Sequence, residues 1–199
     1  MTKIPLSTNF VKHTNKNPIQ KFLIKNFYSS LISLAKSLKV ESILDAGCGE
    51  GFTMDKLLKS DVGKKIEGIE YSKDALSFGK KLFPDLIFKQ GSIYKLPYKD
   101  NSFDLIICTE VVEHLDTPAK ALKEMLRVSK KYLIISAPNE PFFMISNFLR
   151  GKNLMQFGND PEHIQHWTIF SFLKLMGEHG VKIKRVKLPF PWIMVLGEK

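Results

Sequence analysis

Two groups of residues in this chain have the types and spacing that chemistry needs. The first is the run Asp45-Ala46-Gly47-Cys48-Gly49-Glu50-Gly51, followed 19 residues after Gly51 by Glu70. Glycines this close together let the backbone turn tightly. They also let a ligand lie against main-chain N–H groups, which carry partial positive charge where they open a helix. A carboxylate at the tip of the next strand accepts two hydrogen bonds from a vicinal diol, so the pair suits a ribose-bearing ligand. The second group is Glu110, Glu113 and His114, with His163 and His166 further along. Histidine titrates near neutral pH, which makes these side chains candidates for general-base work. If their segment is helical, the i, i+3 and i+4 spacing puts Glu110, Glu113 and His114 on one face, a set that with His163 has the donor types for a divalent metal.

Positioning these groups requires strands and helices in alternation. Asn17-Pro18 reads as an N-cap followed by a first-turn proline. Ile19, Phe22, Leu23, Phe27, Leu31, Leu34 and Leu38 then recur at helical spacing. Short apolar runs follow at 42–45, 66–70, 86–88, 103–108 and 132–135, with helix candidates at 52–59, 73–83 and 118–128, the last capped by Thr117. Strands alternating with helices give a parallel sheet covered on both faces. About thirty residues then separate Ala137 from Trp167, a length that in a compact domain belongs to a functional cover. A last helix near 171–179 leads into a terminal strand pair at 181–188 and 192–197.

Length and composition set further bounds. A chain of 199 residues with 15 Phe and 44% apolar content is one domain with a sizeable core. The net charge of +10 favours anionic partners, although the basic residues come in ones and twos rather than in a nucleic-acid-binding cluster. Cys48 and Cys108 form neither a metal knuckle nor a disulfide framework, which fits a reducing cytoplasm. No window has the apolar length of a membrane span or a secretory leader.

With this organisation in place, Ile43 to Gly51, Gly68-Ile69-Glu70-Tyr71-Ser72 and Phe103-Asp104-Leu105-Ile106-Ile107 resemble the successive motifs of class I S-adenosylmethionine-dependent methyltransferases. Gly91-Ser92-Ile93, Leu96-Pro97-Tyr98 and Val112-Glu113-His114-Leu115 match the small type 11-like subgroup. The resemblance implies a Rossmann-like, doubly wound α/β fold with a mostly parallel seven-stranded sheet, helices on both faces and an antiparallel C-terminal strand. It divides the chain into a helical lid (1–40), a cofactor core (41–136), an acceptor-side insertion (137–168) and a C-terminal helix with strand pair (169–199). The cofactor it implies is S-adenosyl-L-methionine, released as S-adenosyl-L-homocysteine.

Residue roles follow from the same likeness. Asp45, Gly47, Cys48 and Gly49 are expected at the methionine end, Glu70 on the ribose, and Tyr71 against the adenine. Ser92 and Ile93 are expected to border that ring, with Thr109 and Glu110 near the sulfonium. Methyl transfer is an in-line displacement, so alignment is the main task. A hydroxyl acceptor adds the need for a base, for which His114, His163, His166 and Glu110 are the candidates. The Glu-x-x-Glu-His pattern with a distant His is similar to the metal-dependent family that methylates the terminal 2′-hydroxyl of small RNAs. Metal-free relatives also carry Glu-His-Leu there, and no metal is expected. The acceptor is expected to be a small molecule or a lipid or glycan intermediate. The alternatives are metal-assisted RNA 2′-O-methylation and cofactor binding without catalysis. The apolar insertion, interleaved with Arg150 and Lys152, is expected to cover the cleft, shape an apolar pocket or touch a membrane surface.

Overall fold

Parallel strands buried on both faces need continuous apolar runs, and those runs become the sheet. The computed structural model describes residues 8–151 and 153–199, so the part of the expected lid at 1–7, and Lys152, lie outside the described residues. The strands are β1 (Ser42–Ala46), β2 (Lys65–Glu70), β3 (Ile87–Gln90), β4 (Phe103–Thr109), β5 (Ser129–Pro138), β6 (Lys182–Lys187) and β7 (Trp192–Glu198). Their order across one sheet is β3-β2-β1-β4-β5-β7-β6. Neighbours from β3 to β5 pair in parallel, and β7 runs antiparallel between β5 and β6. This is the Rossmann-like, mostly parallel seven-stranded architecture that the motifs imply.

The helices are α1 (Thr8–Thr14), α2 (Pro18–Lys36), α3 (Phe52–Lys59), α4 (Lys73–Leu82), α5 (Pro118–Val128), α6 (Phe142–Leu149) and α7 (Ile169–Glu178). Alternate strand residues face opposite layers. Leu44, Ile106 and Leu133 pack with Leu122 and Met125 of α5 and Phe172 of α7. Ile43, Leu105 and Ile134 pack with Leu31 and Leu34 of α2 and Leu57 of α3. Strand order reverses between β1 and β4, where successive crossovers leave on opposite faces. That opens a crevice beyond the carboxyl ends of those strands.

Local signals hold in part. Asn17 caps α2, its side chain accepting the amides of Ile19 and Gln20. Thr117 makes no side-chain cap bond, so Pro118 alone marks the start of α5. α7 begins at Ile169, ahead of the expected start, because Thr168 and Ser171 form a reciprocal capping box. Ile19 and Phe22 share the apolar stripe of α2, yet both are exposed, and Leu38 lies past the helix end. The periodicity extends one turn beyond what the core covers.

The connection between β3 and β4, which carries Ile93, contains no helix or strand and is clamped to α5 by Arg127. This guanidinium donates to the carbonyls of Tyr98 (2.8 Å) and Leu96 (3.1 Å) and to Asp100 (2.7 Å). It also pairs with Glu124, which accepts the amide of Leu96 at 2.8 Å. Replacing Arg127 by Met is expected to lower stability by about 1–2 kcal/mol, the pair being partly solvent-screened. Urea unfolding of the two proteins, with amide exchange in residues 91–102, measures the effect.

Candidate active site

The turn from β1 into α3 is built by glycines in left-handed conformations. Gly47 has φ of 82° and Gly49 of 52°, values that side-chain-bearing residues rarely adopt. A Cβ at Gly47 would also lie 2.5 Å from the Val111 side chain. The amides of this turn are spent inside the protein. Those of Gly47 and Cys48 donate to the carbonyl of Ile69 (2.8 and 3.1 Å), that of Gly49 to Glu70 (3.1 Å), and that of Gly51 to the carbonyl of Cys48 (2.9 Å). The expectation that these N–H groups face a ligand is therefore corrected. The glycines supply close approach and curvature.

Glu70 holds two turns at once, its second oxygen accepting the amide of Ser72 at 2.8 Å. Each carboxylate oxygen has a further lone pair, so the group is fixed in orientation with accepting capacity left over. Tyr71 follows it, largely exposed on the cleft rim, and Ile93 forms part of the opposite wall. Ser92 turns away from the cleft, its hydroxyl accepting the amide of Tyr94 at 3.2 Å. Cys48 is buried, and burial pushes its thiol well above the usual range. Asp45 does not reach the cleft wall. It sits fully buried beneath the turn with both carboxyl oxygens unpartnered.

At the end of β4, beyond Thr109 on the cleft wall, Glu110 adopts a left-handed φ of 58°. A non-glycine residue held there is strained, and the surroundings fix it. Trp192 Nε1 donates to its carboxylate, Lys12 lies 3.4 Å away, and the Ser136 hydroxyl approaches at 3.4 Å. Val112–His114 is one 3₁₀ turn rather than a helix, so Glu110 departs from the face carrying Glu113 and His114. Glu113, His114 and His163 nevertheless converge, offering one donor atom each within 4.8 Å of one another. Glu113 is buried with both oxygens unpartnered, and burial followed by the charge of Glu110 raises its pKa. His163 is pushed down to about 4, chiefly by burial, and so stays neutral near pH 7. His114 is exposed toward the cleft, its Nδ1 2.8 Å from the carbonyl of Glu162. His166 is not part of this group and lies 4.0 Å from Glu140, outside the cleft lining.

These groups line one cleft of about 1110 Å³, bounded on its open side by α1, α2 and α6. Sequence reasoning missed Asn9, Lys12 and Trp192. Asn9 donates to Glu50, and the Lys12 ammonium also lies over the Trp192 ring at 5.2 Å. His13 stacks on Phe52 with centroids 4.2 Å apart, drawing α1 across the mouth, and burial lowers its pKa to about 3. Arg150 bridges α6 to α2 through Gln20 at 2.8 Å. None of these residues belongs to a local pattern, and each meets its partner only through the fold.

Residues 44–135 match the model of a family described as a methyltransferase domain. A Mycolicibacterium smegmatis protein named "Probable S-adenosylmethionine-dependent methyltransferase" is 30% identical over 112 residues, 55% of this chain and 43% of that protein. A demethylmenaquinone methyltransferase of Renibacterium salmoninarum is 32% identical over 105 residues, 52% of this chain and 44% of that one. The chain thus spans under half the length of either relative. Among solved structures, the magnesium protoporphyrin IX methyltransferase of Synechocystis PCC 6803 with bound SAH aligns at a TM-score of 0.71. That alignment covers 98% of this chain and 95% of the other at 16% identity, a likeness of fold.

The buried Asp45 has a stability consequence. Burial, with a smaller contribution from Glu70, raises its pKa from 3.8 to about 8. Its contribution to stability is complete below the unfolded pKa and is lost as pH rises toward about 8. Asp45→Asn removes the titration. Denaturant unfolding from pH 4 to 8 is expected to show the wild type losing stability against the variant by on the order of a few kcal/mol.

Proposed function

We propose that this chain, whose residues 44–135 match the model of a methyltransferase domain, is an S-adenosylmethionine-dependent methyltransferase acting on a small-molecule, lipid or glycan-type acceptor. The observation that carries this reading is the single cleft in which the glycine turn, the doubly anchored Glu70 and the His114 edge meet. The residues fit the cofactor. Glu110 on the cleft wall is an acceptor for a cationic group, and the carboxyl of Asp45 is buried without a hydrogen-bond partner. The spare lone pairs of Glu70 suit a vicinal diol, and Tyr71 and Ile93 flank the space for a planar ring. A bound S-adenosylmethionine would supply a methyl group carried on a positively charged sulfur; the methyl would pass to the acceptor, and the remainder would leave as S-adenosylhomocysteine with a neutral thioether.

The chain's own residues then have three tasks. Glu70 and the turn fix the ligand's position, which is where alignment catalysis draws its rate. Residues of α1 and α2, with Phe143 and Asn147 of the insertion, close the mouth and exclude water. His114 is placed as the base. With Nδ1–H donated to Glu162, Nε2 has its lone pair free to take the acceptor's proton as the new bond to carbon forms. His163 is the poorer base because burial holds its pKa near 4. Calorimetric titration with S-adenosylhomocysteine tests the reading, and Glu70→Gln is expected to weaken binding at least about tenfold. A wild-type protein that binds neither that product nor S-adenosylmethionine overturns it.

One observation favours a second reading, metal-assisted 2′-O-methylation of RNA. Glu113, His114 and His163 present three donors within 4.8 Å, and two of them are buried without hydrogen-bond partners. Neutral imidazoles and a carboxylate suit a divalent transition metal, and the Glu162 carbonyl orients His114 as an outer partner would. This reading requires one equivalent of cobalt(II) to bind with a visible spectrum that His163→Ala abolishes. Methyl transfer unchanged by exhaustive chelation leaves the first reading standing.

A further inference from the structure

The net positive charge of this molecule falls in two stretches that lack acids. Residues 1–40 contain seven lysines and no acid, and residues 141–159 contain Arg150 and Lys152 and no acid, so together they account for nearly all of the net +10. The described parts of these stretches adjoin, because Arg150 reaches Gln20 and both α2 and α6 border the cleft. They also carry several of the most exposed large apolar side chains among the described residues. Leu149 is 79% exposed, Met155 89% and Phe157 77%, with Phe148 beside them and Ile19 and Phe22 across on α2. Lys16, Lys21 and Lys25 rise from the same end of α2, exposed and unpaired with any acid among the described residues. Beside them a second hollow of about 380 Å³ is lined by Lys12, Lys21, Lys25 and Lys56 together with Ile24 and Ile32.

Soluble proteins seldom expose so many large apolar groups together, and a patch of this kind marks an interaction surface. Its basic surround narrows the occupant. Apolar side chains that insert to shallow depth, ringed by lysines with no acid among them, complement a lipid surface bearing negative headgroups. We propose that α2 and the 142–157 segment dock the protein on an anionic membrane surface, with the cleft mouth facing the lipid. Built on the methyl-transfer reading of the cleft, this surface assigns the acceptor to the class of membrane-partitioned molecules, whose reactive group enters between α2 and α6. The docking itself rests on surface chemistry alone.

The test is flotation with vesicles of phosphatidylcholine alone or mixed with phosphatidylglycerol, at low and high salt. The wild type is expected to float with the mixed vesicles at low salt and to be released as salt screens the lysines. Lys21→Gln and Lys25→Gln are each expected to weaken partitioning about fivefold. The triple variant Leu149→Ser, Met155→Ser, Phe157→Ser is expected to lose it while keeping the wild-type melting temperature and S-adenosylhomocysteine affinity, since these side chains line neither the cleft nor the core. No flotation at low salt, or flotation equal in the triple variant, overturns the proposal. Self-association that the triple variant abolishes, without vesicle binding, assigns the patch to a second copy instead and equally overturns it. Failure of the methyl-transfer reading would show separately, as absent cofactor binding in a protein that still floats.

Discussion

Glu70 is the joint on which the cleft is assembled. One carboxylate oxygen takes the amide of Gly49, in the turn that opens α3, and the other takes that of Ser72, the cap of α4. Two strand-to-helix turns are thereby locked to one another at the tip of β2. The lock requires a charged acceptor of this length, because backbone amides left unpartnered in a confined turn cost about 1–3 kcal/mol each. It also requires the left-handed backbone at Gly49, without which that amide would point elsewhere. What the cleft offers a ligand is the remainder of this arrangement: spare lone pairs on Glu70 and the rims set by Tyr71 and Ile93.

Charge is distributed against the overall sign of the molecule. The protein is strongly basic, yet Asp45, Glu50, Glu70, Glu110 and Glu113 gather in or beneath the cleft. Gathering acids in a poorly solvated space opposes ionisation, which is why Asp45 and Glu113 are raised. Lys12 is the cation that α1 contributes directly, and it goes to Glu110. The remaining demand for positive charge is the property expected of a site for a cationic ligand, while the lysines outside it are left to act on whatever approaches the surface. Two opposite electrostatic faces thus occur within one chain, divided between the strand tips and the first two helices.

How much of this was legible in the sequence follows from which forces are local. β1, β2, β4 and β5 read clearly because a strand covered on both faces shows itself as an unbroken apolar run. The order of the sheet and its reversed strand came from likeness to a known pattern rather than from any spacing. The glycine turn was visible, but the destination of its amides was not, because the acceptors are the carbonyl of Ile69 and the side chain of Glu70, fixed only when β2 lies beside β1. Glu110 was assigned to a helical face it does not share, since its left-handed backbone depends on Trp192 and Lys12, 82 and 98 residues away. Ser92 and His166 were drawn into the site by motif position, yet the Ser92 hydroxyl accepts the amide of Tyr94 and His166 lies 4.0 Å from Glu140, neither residue lining the cleft.

The α2 stripe shows the limit of periodicity in a useful form. A helical repeat reports that Ile19 and Phe22 lie on the side of Leu23 and Phe27, but not where the covering layer stops. The sheet ends before that first turn, so the same apolar pattern that builds the core continues past it into solvent. The insertion meets it there, tied on one side by Arg150 to Gln20 and on the other by the amides of Ile164 and Gln165 to the carbonyl of Glu113. His163 is therefore set against His114 by the same segment that presents Leu149, Met155 and Phe157 outward. The outward apolar side chains and the histidine that packs on His114 are thus carried by one stretch of chain.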